Sequence, residues 1–318
     1  MSDLFAQAFM QHALLAGTGV ALAAGLAGYF LVLRAQIFTT DALGHVAYTG
    51  ALGALAFGFE PRLGLLVATV LTAIGLAGIG HRARPDDVAI GSTFGWLLAL
   101  GSFFLTLYTT RPPSNSAGNG VANVSYLFGS IFGLSAGQAV LVAAVAAAAA
   151  ALIVIGARPL LFASLDETVA AARGVPVRTL GLGFLVLVGI ICAQAAQAVG
   201  ALLLLGLVAA PAGAALRLTA RPYVGMALAT LIAVLSMWTG LIVSFYTSSV
   251  PPSFAILAAA TIAFVASTAV GRRSDSGDIG RLGVRPIQGA THVRRSGHRS
   301  AGTSPPRRRP GRTRPHYP

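Results

Sequence analysis

The sequence contains no lysine. All 22 of its basic residues are arginine, set against only nine acidic residues in a chain of 318. A Walker A loop needs its lysine to reach the nucleotide phosphates, so the chain is not a conventional P-loop ATPase. Lysine Schiff-base chemistry is excluded for the same reason. There is one cysteine, Cys192, and it lies in an apolar run. A lone thiol cannot form an internal disulfide and says nothing about redox compartment. Charge of either sign is scarce, at 10% of residues, where a soluble domain carries about 25%. No H-E-x-x-H, no G-x-S-x-G and no pair of carboxylates in a cleft-like setting is present, so no soluble catalytic constellation is legible. Residues 1–12 hold Asp3 and no arginine. A cleavable leader would need a positive start, so the first apolar run is expected to be a permanent span.

What fills the chain instead is hydrocarbon. Hydrophobic residues make up 55%, and the mean hydropathy is +0.77. Apolar runs follow one another from residue 13 to 271, most close to the ~20 residues that cross ~30 Å of lipid. In lipid the backbone must satisfy its own hydrogen bonds, which leaves helices or a closed barrel. The runs are too long and too continuous for barrel strands. The expected fold is therefore all-α, a polytopic transmembrane bundle of eight to nine spans within residues 1–271. Spans are read at 13–33, 42–58, 63–80, 88–109, 137–156, 180–195, 198–212, 223–245 and 252–271. The apolar stretch 180–212 would reach roughly 50 Å as one helix, so it is split where Gln194, Gln197 and Gly200 interrupt it. Both glutamines are candidates to line a pore or to bond between helices. Residues 121–134 are apolar but short, and are read as re-entrant or surface-lying.

Arginine placement orients the bundle, because positive charge collects on the cytoplasmic side. With the C-terminus inside, nine spans put Arg34, Arg82, Arg84, Arg158, Arg173, Arg178, Arg217 and Arg221 inside, and leave Arg62 and Arg111 outside. Residues 272–318 are a different material. Twelve arginines stand there against Asp275 and Asp278, among Gly, Pro and Ser. Such a segment buries too little to offset its ordering entropy. It is expected to be a disordered cytoplasmic tail that meets anionic lipid headgroups.

One expected cytoplasmic loop is patterned. In Ala163-Ser-Leu-Asp-Glu-Thr-Val-Ala-Ala-Ala-Arg-Gly-Val-Pro176, Ser164 and Glu167 have capping-box spacing. Asp166 and Glu167 suit the positive end of a helix dipole and Arg173 the negative end, and Gly174 with Pro176 is a stop. A short helix over Leu165–Arg173 is predicted, with Leu165, Val169 and Ala172 on one face. It could pack under the bundle, or it could dock into a groove on a soluble partner.

The ionisable pair of the apolar region is Asp41 and His45, at i and i+4 on one helix face. A carboxylate oxygen and an imidazole nitrogen suit zinc or manganese, and both are expensive in hydrocarbon, which makes the pair a functional hypothesis. Two ligands are not a complete site; a symmetric dimer would bring two of each to one axis. The plainer alternative is that Asp41 caps the following helix and His45 is a packed imidazole. His81, among Arg82, Arg84, Asp86 and Asp87, reads as part of a solvated turn.

The order of these features resembles the permease subunits of ABC-type zinc and manganese importers. Leu31-Val-Leu-Arg34 followed by Asp41-Ala-Leu-Gly-His45 is similar to that family's aspartate-alanine-leucine-serine-histidine signature, with Gly44 in place of serine. Tyr126–Ser130, Asp166–Val175, Val199–Ala215 and Ser244–Ser253 resemble further family blocks in the same order. The resemblance implies a non-enzymatic, homodimeric pore in the cell membrane, with ATP-binding cassette ATPase subunits below and a metal-binding solute-binding protein above. It implies Asp41 and His45 as ligands to the transported Zn2+ or Mn2+, with no permanently bound cofactor. Zinc is preferred because two Asp and two His suit a four-coordinate ion, manganese is second, and iron or a metal chelate is third. Leu165, Asp166, Glu167, Val169, Ala172, Arg173 and Gly174 become the ATPase-coupling helix. An ion-driven secondary transporter and a membrane scaffold are the alternatives.

Overall fold

In the computed structural model, residues 7–79, 87–110, 129–201, 204–247 and 249–281 are described. They form eleven α-helices: α1 (Ala8–Leu33), α2 (Ile37–Ala56), α3 (Pro61–Ile79), α4 (Asp87–Thr110), α5 (Ala136–Ile155), α6 (Ala157–Leu165), α7 (Glu167–Ala172), α8 (Val177–Ala198), α9 (Leu204–Leu218), α10 (Pro222–Tyr246) and α11 (Pro252–Arg281). A 3-10 turn at Ile131–Gly133 precedes α5. Among the described residues there is no strand. Each of the nine expected spans coincides with one helix, the short α6 and α7 lying between α5 and α8.

Among the described residues, seven helices are long and apolar enough to cross a membrane. The expected count was larger by α2 and α9. α2 spreads Thr39, Thr40, Asp41, His45 and Thr49 through twenty residues, which dilutes its hydropathy. α9, at fifteen residues, covers only roughly 22 Å. It follows a break after Ala198 where Gly200 takes φ 97°, so the long apolar stretch is indeed two helices.

α1 is apolar on all sides and lies in the centre, packed against α5, α8, α9 and α10. Small residues allow this, since helices in lipid associate by close packing rather than by exclusion from water. α2 and α3 meet through Gly50 and Gly64, where a Cβ on either would strike the other's backbone. Large apolar side chains such as Leu71, Trp96, Phe103, Leu235 and Ile262 remain on the outer surface, as lipid contact requires.

The crossings sort the arginines. Arg34 closes α1, and its Nε donates to Ser164 at the end of α6. The Tyr29 ring lies against Gly225, which puts the start of α10 at that same end. Arg217 stacks over Phe264 of α11 at 4.3 Å. Arg34, Arg158, Arg173, Arg178, Arg217 and Arg221 thus share one end, while Arg62 stands with Glu60 at the other. Arg82, Arg84, Arg111, the His81 turn and residues 121–128 lie outside the described residues.

The segment expected to be disordered from residue 272 begins as helix, because α11 continues to Arg281. Extending an existing helix requires no new nucleation, so a polar composition alone does not end it. The chain divides into a body ending at Asp275 and a second unit from Ser276. Of that second unit, residues 282–318 lie outside the described part.

Candidate metal pathway and docking element

Asp41 is not a helix cap. α2 begins at Ile37, with Gln36 before it, so Asp41 sits one turn inside, roughly 6 Å along the axis. The stretch from Ala35 to Thr40 is one tight turn and then helix. His45 follows one turn later, its Nε2 4.0 Å from Asp41 Oδ1. That exceeds hydrogen-bond range. Two donors each ~2.1 Å from a shared ion lie roughly 3.4 Å apart at the tetrahedral angle, so closing the pair on a metal needs about half an ångström.

The side chains of His45 and Asp41 are 16% and 31% exposed, largely stripped of water yet reachable. The His45 ring stands edge-on to Phe94 at 5.0 Å. Asp41 opens into a cavity of about 350 Å3 lined by Phe38, Ala42, Ile90, Gly91 and Phe94. The walls contributed by α4 were not legible in the sequence. The only hint is small Gly91 and aromatic Phe94 in a run otherwise read as plain span. Gly44 lies beside the helix break, where a Cβ would stand 3.0 Å from the Ala201 carbonyl oxygen. The glycine lets α2 lie close to the broken chain.

Gln194 and Gln197 occupy the last turn of α8. Gln194 is buried. The Gln197 carbonyl accepts from Ser130 N–H at 3.3 Å. Neither is among the residues lining the Asp41 cavity. Among the described residues, no group of three or more His, Cys, Asp or Glu could hold a metal. Among the described residues, Asp41 and His45 stand as a pair.

The patterned loop is helical, with different bounds from those expected. Leu165 ends α6, and α7 runs from Glu167 to Ala172. The cap is Asp166, whose Oδ1 accepts from Val169 N–H at 2.9 Å and from the Thr168 hydroxyl at 2.7 Å. Ser164 is not free to cap. Its hydroxyl donates to the Leu160 carbonyl and accepts from Arg34. The Val169 N–H, then the Thr168 hydroxyl, holds the Asp166 carboxyl below its ordinary pKa. This cap is complete above the usual carboxylate range and is lost as pH falls through the lowered value.

The expected stop is present in full. Gly174 takes φ 82°, and Gly174 N–H to Ala171 O with Val175 N–H to Ala170 O make the two bonds of a Schellman ending. Ala170 is buried against Ala163 and Val177. Leu165, Val169, Ala172 and Arg173 face outward. Leu165 and Val169 form an exposed apolar pair on a capped turn at the arginine-rich end.

A bundle of long apolar helices, with a half-buried Asp–His pair beside a cavity, defines a multi-pass membrane protein. The sequence model of the ABC 3 transport family matches residues 6–271. The chain belongs to that family, and it is a permease subunit of a metal ABC transporter in the cell membrane. It is 27% identical over 267 residues to the manganese transport system membrane protein MntC of Halalkalibacterium halodurans, covering 84% of this chain and 86% of that one. It is 24% identical to the chelated iron transport system membrane protein YfeD of Yersinia pestis, over 77% of this chain and 80% of that one. Among solved structures it is similar to PsaBC from Streptococcus pneumoniae in complex with Fab. The TM-score there is 0.71 at 26% identity, covering 84% of this chain and 93% of that one.

Proposed function

We propose that the chain forms a homodimeric pore importing a divalent first-row metal, manganese foremost, with ATP hydrolysed by separate cassette subunits and metal delivered by a solute-binding protein. The observation that carries this is the Asp41–His45 pair. The seven apolar spans, with α4 counted from Val88 and α11 to Ala269, hold no aspartate or glutamate, so Asp41 stands out among segments otherwise cleared of acidic groups. An ionisable group is kept in such a place for a pathway or a counter-ion. Two copies at a dimer axis supply two carboxylates and two imidazoles. Relatives named for manganese and for iron favour those metals. Zinc is the second reading, because two oxygens and two nitrogens complete a tetrahedral set.

The test is accumulation of radioactive manganese and zinc in cells lacking their own importers, with the ATPase partner co-expressed. Accumulation of manganese above that of zinc is expected. Zinc accumulation alone keeps the pathway and changes the cargo. No accumulation of either, with protein present and partner bound, overturns the reading.

The docking role makes a separate prediction. Leu165→Glu combined with Val169→Glu should leave membrane abundance unchanged, because both residues are exposed. ATPase recovered on co-purification should fall by about tenfold or more, as for hot-spot anchors. Full recovery would remove α7 as the contact.

A further inference from the structure

The turn between α1 and α2 is under tension. α1 closes with Ala35 N–H bonded to Val32 O at 3.1 Å and Gln36 N–H to Leu31 O at 2.8 Å. That pattern places its third residue in the left-handed region, normally glycine. Here it is Ala35, at φ 55°. A Cβ disfavours this region, so the surroundings must hold the residue in it.

The first turn of α2 adds to the load. Gln36, Thr39 and Thr40 are 3%, 0% and 0% exposed. Their side-chain polar atoms have no hydrogen-bond partner among the described residues. By contrast, Thr18, Thr69 and Thr230 each donate to the carbonyl four residues earlier. Burying unpaired polar groups is unfavourable, so the closed turn must be held from outside itself.

Arg34 is placed to hold it. Its side chain is buried, at 6% exposed. Nε donates to Ser164 Oγ at 2.8 Å, and Ser164 donates onward to Leu160 O at 2.6 Å. The guanidinium carbon sits 5.0 Å from the centre of the Phe184 ring. One cation thus joins the end of α1 to α6 and α8. α6 leads through the Asp166 cap straight into α7.

We infer that Arg34 is a positioning residue for transport: it carries displacement of the α6–α7 element to the α1–α2 turn, and through it to Asp41 and His45. This rests on α7 as the ATPase contact. Movement of α6 loosens the Arg34–Ser164 bond. The turn then relaxes at Ala35, Gln36, Thr39 and Thr40 gain water, and the Asp41 cavity opens toward that end.

The test uses the full chain with its ATPase partner in liposomes, reading ATP hydrolysis and metal accumulation in the same vesicles. Arg34→Lys keeps the charge and loses the Nε–H donor. Ser164→Ala removes only the hydroxyl. Metal moved per ATP should drop about tenfold in Arg34→Lys, within the range of mutations along a coupling route, while hydrolysis is retained. Ser164→Ala should shift the ratio in the same direction, and the double variant should be no worse than Arg34→Lys alone. An unchanged ratio in both, or uptake and hydrolysis falling in parallel, overturns the inference. Should Arg34→Lys fail to accumulate, Ser164→Ala decides by itself. The Leu165/Val169 double variant, run alongside, separates the two levels. Lost hydrolysis stimulation there with an intact ratio in Arg34→Lys removes only the tie. Unaffected stimulation there removes the coupling reading beneath it.

Discussion

Asp41→Asn is expected to abolish metal accumulation while the protein stays in the membrane at normal abundance. The substitution keeps the shape of the side chain and removes its charge, so the lining of the cavity should be unchanged. What it removes is the anionic oxygen that offsets metal dehydration. Loss of groups merely supporting a metal ligand costs 10–100-fold. Loss of the ligand itself, twice over in a dimer, should cost roughly 100-fold or more in uptake. His45→Ala should behave alike, and His45→Gln should recover little, because an amide is a poor substitute for imidazole nitrogen toward these ions. Radiolabelled uptake normalised to membrane-extracted protein reads the effect. Normal uptake in Asp41→Asn would sink the pathway assignment, whatever the metal.

The second large effect concerns packing. Gly28→Ala should destabilise the bundle by about 1–3 kcal/mol, the usual cost of overpacking a filled interior. A Cβ on Gly28 would run into the carbonyl of Val208. That atom is backbone and cannot swing aside, so α1 and α9 must separate. Gly75→Ala is the matched control. Nothing lies within 4 Å of a Cβ there, and the gain in helix propensity should stabilise α3 by up to about 1 kcal/mol. Thermal unfolding in detergent, followed by the monodisperse fraction on size exclusion, distinguishes them. Equal melting points for the two variants would mean that the α1–α9 approach is not tight.

The two predictions differ in how much of each was legible beforehand. Asp41 and His45 are four residues apart on one helix, so their juxtaposition follows from helical geometry alone. Gly28 meets Val208 across the bundle, and no local pattern announces which of 38 glycines does so. The docking element shows the boundary between the two cases. Its stop at Gly174 was readable, because glycine at a left-handed position is a local requirement. Its start was misplaced, because Ser164 has capping-box spacing but its hydroxyl is taken by Leu160 and by Arg34, 130 residues distant. Arg34 itself reads in sequence as a topology charge. Only its burial against Ser164 and Phe184 marks it as structural.

Legible in the sequence alone were the class of fold, the placement of nine apolar helices, the concentration of arginine at one end, and an Asp–His pair one turn apart on a single helix. Each of these depends on hydropathy or on spacing within one helix, quantities that a stretch of twenty residues carries in full. Only the packed chain shows which side chains wall the Asp41 cavity, which serine is unavailable as a cap, where the glycines let backbones touch, and that a left-handed alanine precedes the helix carrying Asp41 and His45. Those depend on contacts between segments far apart in the chain, and in lipid such contacts are selected by shape between uniformly apolar surfaces, which leaves little trace in composition.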